Sequence, residues 1–176
     1  MSERQRLFFA LWPDEPLREV ITPLLKLHRE CGGRAHPPGN LHLTLNFLGG
    51  VGAETRDCLE RAAGEIIIPP FELTLDHFGY WPRPRVVWLG CSEIPEPLGE
   101  LVVALNRVVE RCGLQPEQRP YQAHLTLLRK ARQAPAGPAP ELPWRVNDFV
   151  LAQSVSTLSG VEYRVLRRWD LKAGNR

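Results

Sequence analysis

The tetrapeptide His-Leu-Thr-Leu occurs twice in this chain, beginning at His42 and again at His124. Each copy lies in an alternation of apolar and polar residues, and a period of two is typical of a half-buried β-strand. On such strands His42 and Thr44 share one face, as do His124 and Thr126, while the leucines point into a core. The first alternation continues to Phe47, which it places on the core side. The repeat therefore predicts two strands that each present an imidazole beside a hydroxyl group.

Two interpretations of the repeat must be compared. A short peptide can recur by chance in a leucine-rich chain, and threonine is common in strands for steric reasons. However, each copy follows a predicted helix and a turn that contains arginine and proline, and the two copies use two of only five histidines. We therefore favour a functional interpretation over ordinary strand chemistry.

Length and composition limit the classes of protein to consider. The 176 residues suffice for a single domain spanning 1–176, or for two small lobes that share one core. The contents of 43% hydrophobic and 24% charged residues are typical of soluble globular proteins. Because the chain starts with polar residues and lacks the roughly 18 apolar residues of a membrane span, we expect a cytoplasmic protein without membrane contact. We also expect it to be a monomer. The net charge of +2 is too small for nucleic-acid binding driven mainly by counterion release.

The spacing of apolar residues predicts a mixed α+β chain. Strands are predicted at 7–12, 41–47, 71–78, 85–91, 121–128, 148–158 and 162–171. One helix is predicted from Asp14 to about Glu30 with a kink at Pro23, a second after Gly52, and a third closed by Gly113. The segment 79–84 is predicted to be a turn, and the Pro-rich segment 133–140 a surface loop.

Other candidate sites are weak. The segment 49–52, Gly-Gly-Val-Gly, could cradle a phosphate, but it lacks a P-loop lysine, so we favour a turn. The four cysteines are far apart with no C-x-x-C pair, which predicts buried or half-buried free thiols rather than a structural zinc site. We expect His28, His36 and His77 at the surface or at helix ends. Convergence of His36 and His77 on the motif histidines as a metal site stays open, although no metal or cofactor is predicted.

The repeated motif matches the needs of metal-free phosphodiester hydrolysis. That reaction requires a base for water, an acid for the leaving oxygen, and donors for the developing negative charge. Two histidines with ordinary pKa values near 6.5 can act as acid and base at neutral pH. The hydroxyl groups of Thr44 and Thr126 can act as the donors.

At these residues the chain resembles the two-histidine phosphoesterase superfamily, whose mark is a pair of His-x-Thr motifs. It is most similar to the bacterial RNA 2′,3′-cyclic phosphodiesterases, also called 2′-5′ RNA ligases. The similarity covers nearly the full chain, through the segments 6–10, 40–49, 85–90 and 119–129, then Ser154 and 163–171.

The resemblance implies a two-lobed α+β fold with pseudo-twofold symmetry, in which helices flank antiparallel sheets and both motifs face a central cleft. It also implies metal-independent hydrolysis of RNA 2′,3′-cyclic phosphate ends to 2′-phosphate ends, together with reversible 2′-5′ RNA ligation. The implied substrates are RNA ends, such as those of tRNA fragments, or cyclic nucleotides. The alternative is a non-catalytic protein that binds RNA ends or nucleotides.

The resemblance also assigns roles to residues. It makes His42 the proton donor and His124 the proton acceptor, with Thr44, Thr126 and Arg129 as ligands of the phosphate. The chain departs from the family in having Ala123 where proline usually precedes the second histidine. Strict alternation would also place Arg129 on the face opposite His124, so it reaches the phosphate only if the strand ends or twists there.

Overall fold

The computed structural model describes residues 3–174, which form an α+β fold with antiparallel sheets, as predicted. The ten strands are β1 (Gln5–Leu11), β2 (Arg34–Ala35), β3 (Leu43–Val51), β4 (Phe71–Leu75), β5 (His77–Trp81), β6 (Val86–Gly90), β7 (His124–Arg129), β8 (Leu142–Val146), β9 (Asp148–Thr157) and β10 (Gly160–Asp170). The helices are α1 (Glu15–Ile21), α2 (His28–Cys31), α3 (Ala53–Ala63) and α4 (Glu96–Arg111), with 3-10 turns at Thr22–Leu27 and Pro38–Asn40.

The main sheet consists of two halves joined between β3 and β7. Its strand order is β10-β9-β1-β3-β7-β6-β5, and the short β2 also pairs with β7, while β4 and β8 form a separate two-stranded sheet. β3 and β7 are paired only at Leu43 and Leu125, the residues that follow the two motif histidines. An antiparallel pair has a local twofold axis, so this pairing relates the two motifs by symmetry.

The first helix is shorter than predicted. The side chain of Asp14 caps α1 by accepting a hydrogen bond of 3.0 Å from the backbone N–H of Leu17. We predicted one kinked helix to about Glu30, and the helical run does extend to Cys31, but in three pieces: α1 ends at Ile21, a 3-10 turn containing Pro23 follows, and α2 completes the run. Proline lacks a backbone donor and clashes with the preceding turn, so here it ends the α-helix rather than bending it.

Two bulges in β3 overturn two sequence predictions. The register against β1 skips Leu48 and again Leu45, so the alternation of faces is reset twice. Phe47 is consequently opposite Phe8 and 67% exposed, and its predicted place in the core is wrong. The predicted turn at 49–52 is also wrong, as is the phosphate cradle, because Gly49 and its two successors pair with β1 as strand.

The strands around β6 also differ from the prediction. The predicted strand at 71–78 is divided into β4 and β5 at Asp76, whose carboxylate accepts bonds from the backbone and hydroxyl of Ser92. Gly79 lies within β5, not in a turn, and a Cβ atom there would be only 2.0 Å from the indole of Trp88. Glycine is therefore required by the close approach of a ring. The strand β8 was not predicted.

The two faces of the main sheet have different partners. One face packs against α1, α3 and α4 in a large core whose central side chains include Phe9, Leu11, Leu43, Leu59, Leu101 and Leu125. The opposite face carries a small apolar cluster of Phe8, Ala10, Val150 and Ala152, flanked by Trp12 and Tyr163. We call this second surface the motif face, because His42 packs on Phe8 with ring centroids 4.8 Å apart.

We predicted four free thiols, but only two of the cysteines are free. Cys58 in α3 and Cys112 after α4 form a disulfide, while Cys31 and Cys91 are free and buried. α3 and α4 pack against each other and bring the two Cα atoms to 5.8 Å, within the usual range for a disulfide. A sequence separation of 54 residues gave no sign of this contact. Within the described residues, no helix has both the length and the apolar character that crossing a membrane requires.

Candidate active site

His42, immediately before β3, has both ring nitrogens bonded. Its Nδ1 donates to the backbone carbonyl of Asn40 at 2.7 Å, and its Nε2 lies 3.0 Å from the hydroxyl oxygen of Thr44. A carbonyl can only accept, so Nδ1 carries the proton and the neutral ring accepts the Thr44 hydroxyl proton at Nε2. The arrangement fixes the tautomer and leaves Nε2 without a proton.

Aromatic rings surround the imidazole of His42. Trp12 stacks on it with an interplanar angle of 11° and a centroid distance of 5.4 Å. Tyr163 meets it edge-on at 4.9 Å, and Phe8 lies 4.8 Å away. His42 is only 8% exposed as a result.

Burial disfavours the protonated, charged form of His42. Loss of solvent lowers the pKa of His42 to about 3, although the Asn40 carbonyl opposes this by accepting from the ring. The nearby charges of His36, His124 and Arg129 lower this pKa further. The ring is therefore neutral at pH 7 in the unliganded protein.

His124, the first residue of β7, is held in the same way as His42. Its Nδ1 donates to the carbonyl of Gln122 at 2.9 Å, which is again the carbonyl two residues earlier. Trp81 packs edge-on against the ring at 4.6 Å, and Trp88 lies 6.3 Å away. Burial lowers the pKa of His124, the Gln122 carbonyl raises it and the charge of Arg129 lowers it.

The β3/β7 register brings the two motifs together. Because Leu43 faces Leu125 in an antiparallel pair, one further step in each direction places His42 beside Thr126 and Thr44 beside His124. Directly opposed residues have Cβ atoms about 4.5–5.5 Å apart. The two imidazoles and two hydroxyl groups thus form one cluster on the motif face, with the two histidines at diagonally opposite corners.

A bulge in β7 places Arg129 on the same face as His124, although strict alternation would place it on the opposite face. Thr126 and Leu128 pair with consecutive residues of β6, so Leu127 is the extra residue between them. The bulge resets the alternation, and the two leucines are both buried while Arg129 is exposed. The reset alternation places Arg129 on the motif face, and its charge lowers the pKa of both motif histidines and of His36.

His36 is a site residue that sequence reasoning missed. It is 6% exposed, 6.3 Å from the His42 ring and 5.8 Å from the Tyr163 ring, so its predicted surface position is wrong. Burial lowers its pKa to about 4, and the charge of Arg129 adds to this effect. The backbone N–H of His36 donates to the carbonyl of Leu127 at 2.8 Å, in continuation of the pairing of β2 with β7. A two-residue strand leaves no periodic signal that could have predicted this.

The remaining histidines do not join the site. His28 and His77 are exposed, as predicted, and His77 packs beside Trp88 at 5.8 Å. Convergence of all four candidate histidines on one metal is therefore wrong. Across residues 3–174, no group of three or more His, Cys, Asp or Glu is arranged to hold a metal ion.

Asn40 positions the loop that carries His42. Its side-chain amide donates to the carbonyl of Val161 at 2.7 Å and accepts from the backbone N–H of Tyr163 at 3.1 Å. Both partners belong to β10, so the amide ties the loop to the far edge of the sheet. The backbone carbonyl of the same residue holds the His42 ring.

Arg18 in α1 supports the loop from the other side. Its guanidinium donates to the carbonyls of Pro38 and, at 3.0 Å, of Pro13. It also lies 6.0 Å from the centroid of the Trp12 ring, on which His42 stacks. Neither Asn40 nor Arg18 was predicted from the sequence to support the site, because the contacts with β10 and with Pro38 join segments that are distant along the chain.

Comparison with known proteins identifies the family. Residues 11–88 match the family described as LigT-like phosphoesterase. An RNA 2′,3′-cyclic phosphodiesterase of Escherichia coli is 42% identical over 97% of this chain and 99% of its own length. The chain belongs to the LigT-like phosphoesterase family. This confirms the resemblance read from the two motifs.

Other members of the LigT-like phosphoesterase family agree with this assignment. An RNA 2′,3′-cyclic phosphodiesterase of Archaeoglobus fulgidus is 36% identical over 94% of this chain and 99% of its own. The crystal structure of Escherichia coli LigT in apo form superposes with a TM-score of 0.89 at 40% identity, covering 97% of this chain and 99% of that one. The same protein complexed with 3′-AMP also has a TM-score of 0.89, with 96% and 99% covered.

Proposed function

We propose that this LigT-like phosphoesterase opens 2′,3′-cyclic phosphates at RNA ends to 2′-phosphates without a metal. The observation that carries the proposal is the pairing of Leu43 with Leu125, which sets two His-x-Thr motifs side by side. Each histidine has its Nδ1 fixed on a backbone carbonyl, so each can direct Nε2 at substrate. Support comes from relatives named RNA 2′,3′-cyclic phosphodiesterase.

In the proposed reaction the two histidines divide the proton transfers. Neutral His124 takes a proton from water at Nε2 as the water oxygen bonds to phosphorus. The bond from phosphorus to the 3′-oxygen breaks, and His42 gives its Nε2 proton to that oxygen. The product carries a 2′-phosphate and a free 3′-hydroxyl, and exchange with solvent resets both rings.

His42 must gain its second proton when the substrate binds. His42 is neutral in the unliganded protein because burial lowers its pKa to about 3. A cyclic phosphate brings one negative charge beside the ring, which favours the imidazolium. We therefore expect proton uptake when nucleotide binds near pH 7, measurable by calorimetry in two buffers of different ionisation enthalpy. Binding of 2′-AMP without proton uptake would contradict this step.

The remaining groups hold the phosphate. Once His42 carries a proton on Nε2, the Thr44 hydroxyl no longer needs to donate to it and can turn to a phosphate oxygen. Thr126 occupies the equivalent place beside His42, across the ladder. Arg129 supplies a fixed positive charge for the oxygens that gain charge in the transition state.

The test is turnover of adenosine 2′,3′-cyclic phosphate in excess chelator. The proposal expects adenosine 2′-phosphate as the product, and accumulation of the 3′-phosphate would reverse the assignment of the leaving oxygen. Binding without turnover would support the alternative, a non-catalytic protein that binds RNA ends or nucleotides.

The same chemistry can also join RNA ends. A 5′-hydroxyl in place of water would give 2′-5′ ligation with the same two proton transfers, so we propose that ligation accompanies hydrolysis. We further propose that residues 1–176 act as one two-lobed domain with a central cleft. As the working form we propose a cytoplasmic monomer on RNA ends such as those of tRNA fragments.

A further inference from the structure

A tyrosine side chain crosses the β3/β7 junction beside the two motifs. Tyr121 lies three residues before His124, and its hydroxyl group donates to the backbone carbonyl of Thr44 in β3 at 3.0 Å. The backbone pairing of β3 with β7 is limited to Leu43 and Leu125. The tyrosine bond therefore adds a second connection between the two motifs, at the residue that follows the paired Leu43.

The segment that leads to His124 has no regular structure of its own. Residues 115–123 lie between α4 and β7 and belong to no helix or strand. The side-chain bonds of Arg119 go to Glu117, inside the same segment. The ring of Tyr121, in contrast, packs against the large core, and its hydroxyl group reaches β3. Tyr121 therefore fixes the end of this segment, next to the second motif.

The position of this segment matters because the carbonyl that orients His124 belongs to it. Gln122, the residue after Tyr121, accepts the Nδ1 proton of His124 at 2.9 Å. The corresponding carbonyl for His42 belongs to Asn40, whose side-chain amide is itself bonded to β10. The side chain of Gln122 is exposed, so the anchoring of its carbonyl falls to the neighbouring Tyr121.

The hydroxyl group of Tyr121 stays a donor at all pH values at which the histidines exchange protons. Burial raises the pKa of Tyr121 above its ordinary value of 10, and the nearby Cys91 adds to this effect. Burial also raises the pKa of the Cys91 thiol to about 11. Both groups are therefore protonated at neutral pH, and the bond to the Thr44 carbonyl is not lost by titration.

The residue immediately before His124 is Ala123, where the family usually has proline. Proline restrains a chain by fixing its own φ and by restricting the residue before it, whereas alanine supplies neither restraint. Among the backbone hydrogen bonds outside helices and strands in residues 3–174, none uses the N–H of Ala123. A proline there would break no bond of that kind. The tyrosine bond and a proline are thus alternative means of holding one segment.

We propose that Tyr121 is a positioning residue for His124, and that its bond across the β3/β7 junction replaces the restraint of a proline. The bond holds the Gln122 carbonyl in place, and that carbonyl holds the His124 tautomer in which Nε2 is free to take a proton from water. This inference rests on the proposed function and adds to it a residue that touches neither the substrate nor the reacting atoms. It acts on the chemical step rather than on substrate binding.

The first experiment deletes only the hydroxyl group. We expect Tyr121→Phe to lower kcat for adenosine 2′,3′-cyclic phosphate about tenfold and to leave KM within about twofold of the wild type, because a misplaced base slows the chemical step. The loss should persist with a substrate that has a good leaving group, since His42 serves the leaving oxygen.

Tyr80→Phe is the matched control for this variant. The Tyr80 hydroxyl group also donates to a backbone carbonyl, that of Ala131, at 3.2 Å. Each variant therefore loses one hydroxyl-to-carbonyl bond, and the two should lower the urea midpoint of unfolding by similar amounts. Tyr80→Phe should keep the kcat of the wild type.

The second experiment restores the restraint by a different route. Ala123→Pro in the Tyr121→Phe background should recover most of the lost kcat. In the wild-type background the same change should have a much smaller effect, because the segment is already held there. An equal factor in both backgrounds would mean that the two restraints act independently, and the proposed replacement would be wrong.

A third measurement does not depend on turnover. The nitrogen NMR shifts of the His124 ring report which nitrogen carries the proton of the neutral form. The proton should be on Nδ1 in the wild type and in Tyr80→Phe, whereas Tyr121→Phe should also populate the tautomer with the proton on Nε2. This measurement also decides the matter if Ala123→Pro prevents folding.

The outcomes separate this inference from the proposed function. A loss of kcat no larger in Tyr121→Phe than in Tyr80→Phe, or a change confined to KM, would overturn the role of Tyr121. An unchanged tautomer of His124 in Tyr121→Phe would overturn it as well. If the wild type did not hydrolyse the cyclic phosphate, the proposed function would fail, and the tautomer measurement alone would decide whether Tyr121 positions His124.

Discussion

At the scale of single residues, the two motif histidines share their hydrogen bonding but differ in their surroundings. Each donates from Nδ1 to the carbonyl two residues earlier. His42 is enclosed by Trp12, Phe8 and Tyr163, whereas His124 is partly exposed beside Trp81. Identical tetrapeptides thus acquire different acid-base properties from residues outside the motif.

The histidine roles can be separated by substitution. We expect His42→Ala and His124→Ala each to lower kcat by about 10²–10⁴-fold, the usual contribution of a general acid or base. A substrate with a good leaving group needs little protonation, so it should rescue His42→Ala but not His124→Ala. Steady-state kinetics on both substrates measures this, and rescue of only the His124 variant would exchange the two roles.

The threonines test stabilisation of the phosphate. Thr44→Val and Thr126→Val keep the shape of the side chain but delete a hydroxyl donor. Each should raise the activation free energy by roughly 1–3 kcal/mol, read from kcat/KM. Unchanged kcat/KM in both variants would return these residues to ordinary strand propensity.

His36 makes the folded protein sensitive to acid. Burial lowers its pKa to about 4 in the folded state, against an ordinary value of 6.5. Between these values the unfolded chain binds more protons, so stability falls as the pH drops from about 6.5 towards 4. His36→Val removes this titration, so its loss of unfolding free energy between pH 7 and pH 5 should be smaller than that of the wild type by about 2 kcal/mol. Urea titrations at both pH values measure the difference; equal losses would argue against a buried neutral imidazole.

At the scale of elements, bulges decide which side chains reach the site. The sequence predicted β3 and β7 and the pairing of histidine with threonine on one face, because these follow from a regular period of two. The alternation alone could not predict that Phe47 and Arg129 join that face, since each depends on an extra residue in the ladder. Only the resemblance to a known family pointed to Arg129. An inserted residue leaves no local mark in an apolar run such as Leu127-Leu128.

Gly79 in β5 gives a test of how the strands support His124. A Cβ atom at Gly79 would lie 2.0 Å from the Trp88 indole, which packs against Trp81 and lies near His124. Gly79→Ala should therefore displace Trp88 and cost about 1–3 kcal/mol in unfolding free energy, with a fall in kcat. Gly99→Ala is the matched control, because nothing lies within 4 Å of its Cβ position in α4 and alanine favours a helix. Equal stability of the two variants would contradict the observed packing.

At the scale of the whole molecule, the disulfide and the motif face lie on opposite sides of the main sheet. Cys58 and Cys112 connect α3 to the end of α4, and a closed loop of 54 residues corresponds to about 4 kcal/mol of stabilisation. Replacing both cysteines by serine should lower the unfolding free energy by up to that amount. Because the helices do not touch the histidines, kcat/KM at 25 °C should stay within about twofold of the wild type. A large loss of activity without a loss of stability would show coupling through the sheet.

The single ladder pair between β3 and β7 has a consequence for how activity relates to integrity. Each half of the sheet carries one of the two motif histidines, so neither half holds both the proposed acid and the proposed base. The two histidines therefore meet at the β3/β7 junction, which we call the seam. The seam has less backbone pairing than any other junction in the main sheet. Local opening there needs less free energy than global unfolding. The turnover rate therefore measures whether β3 and β7 remain paired at the seam. A protein that has lost its turnover can still retain most of its secondary structure.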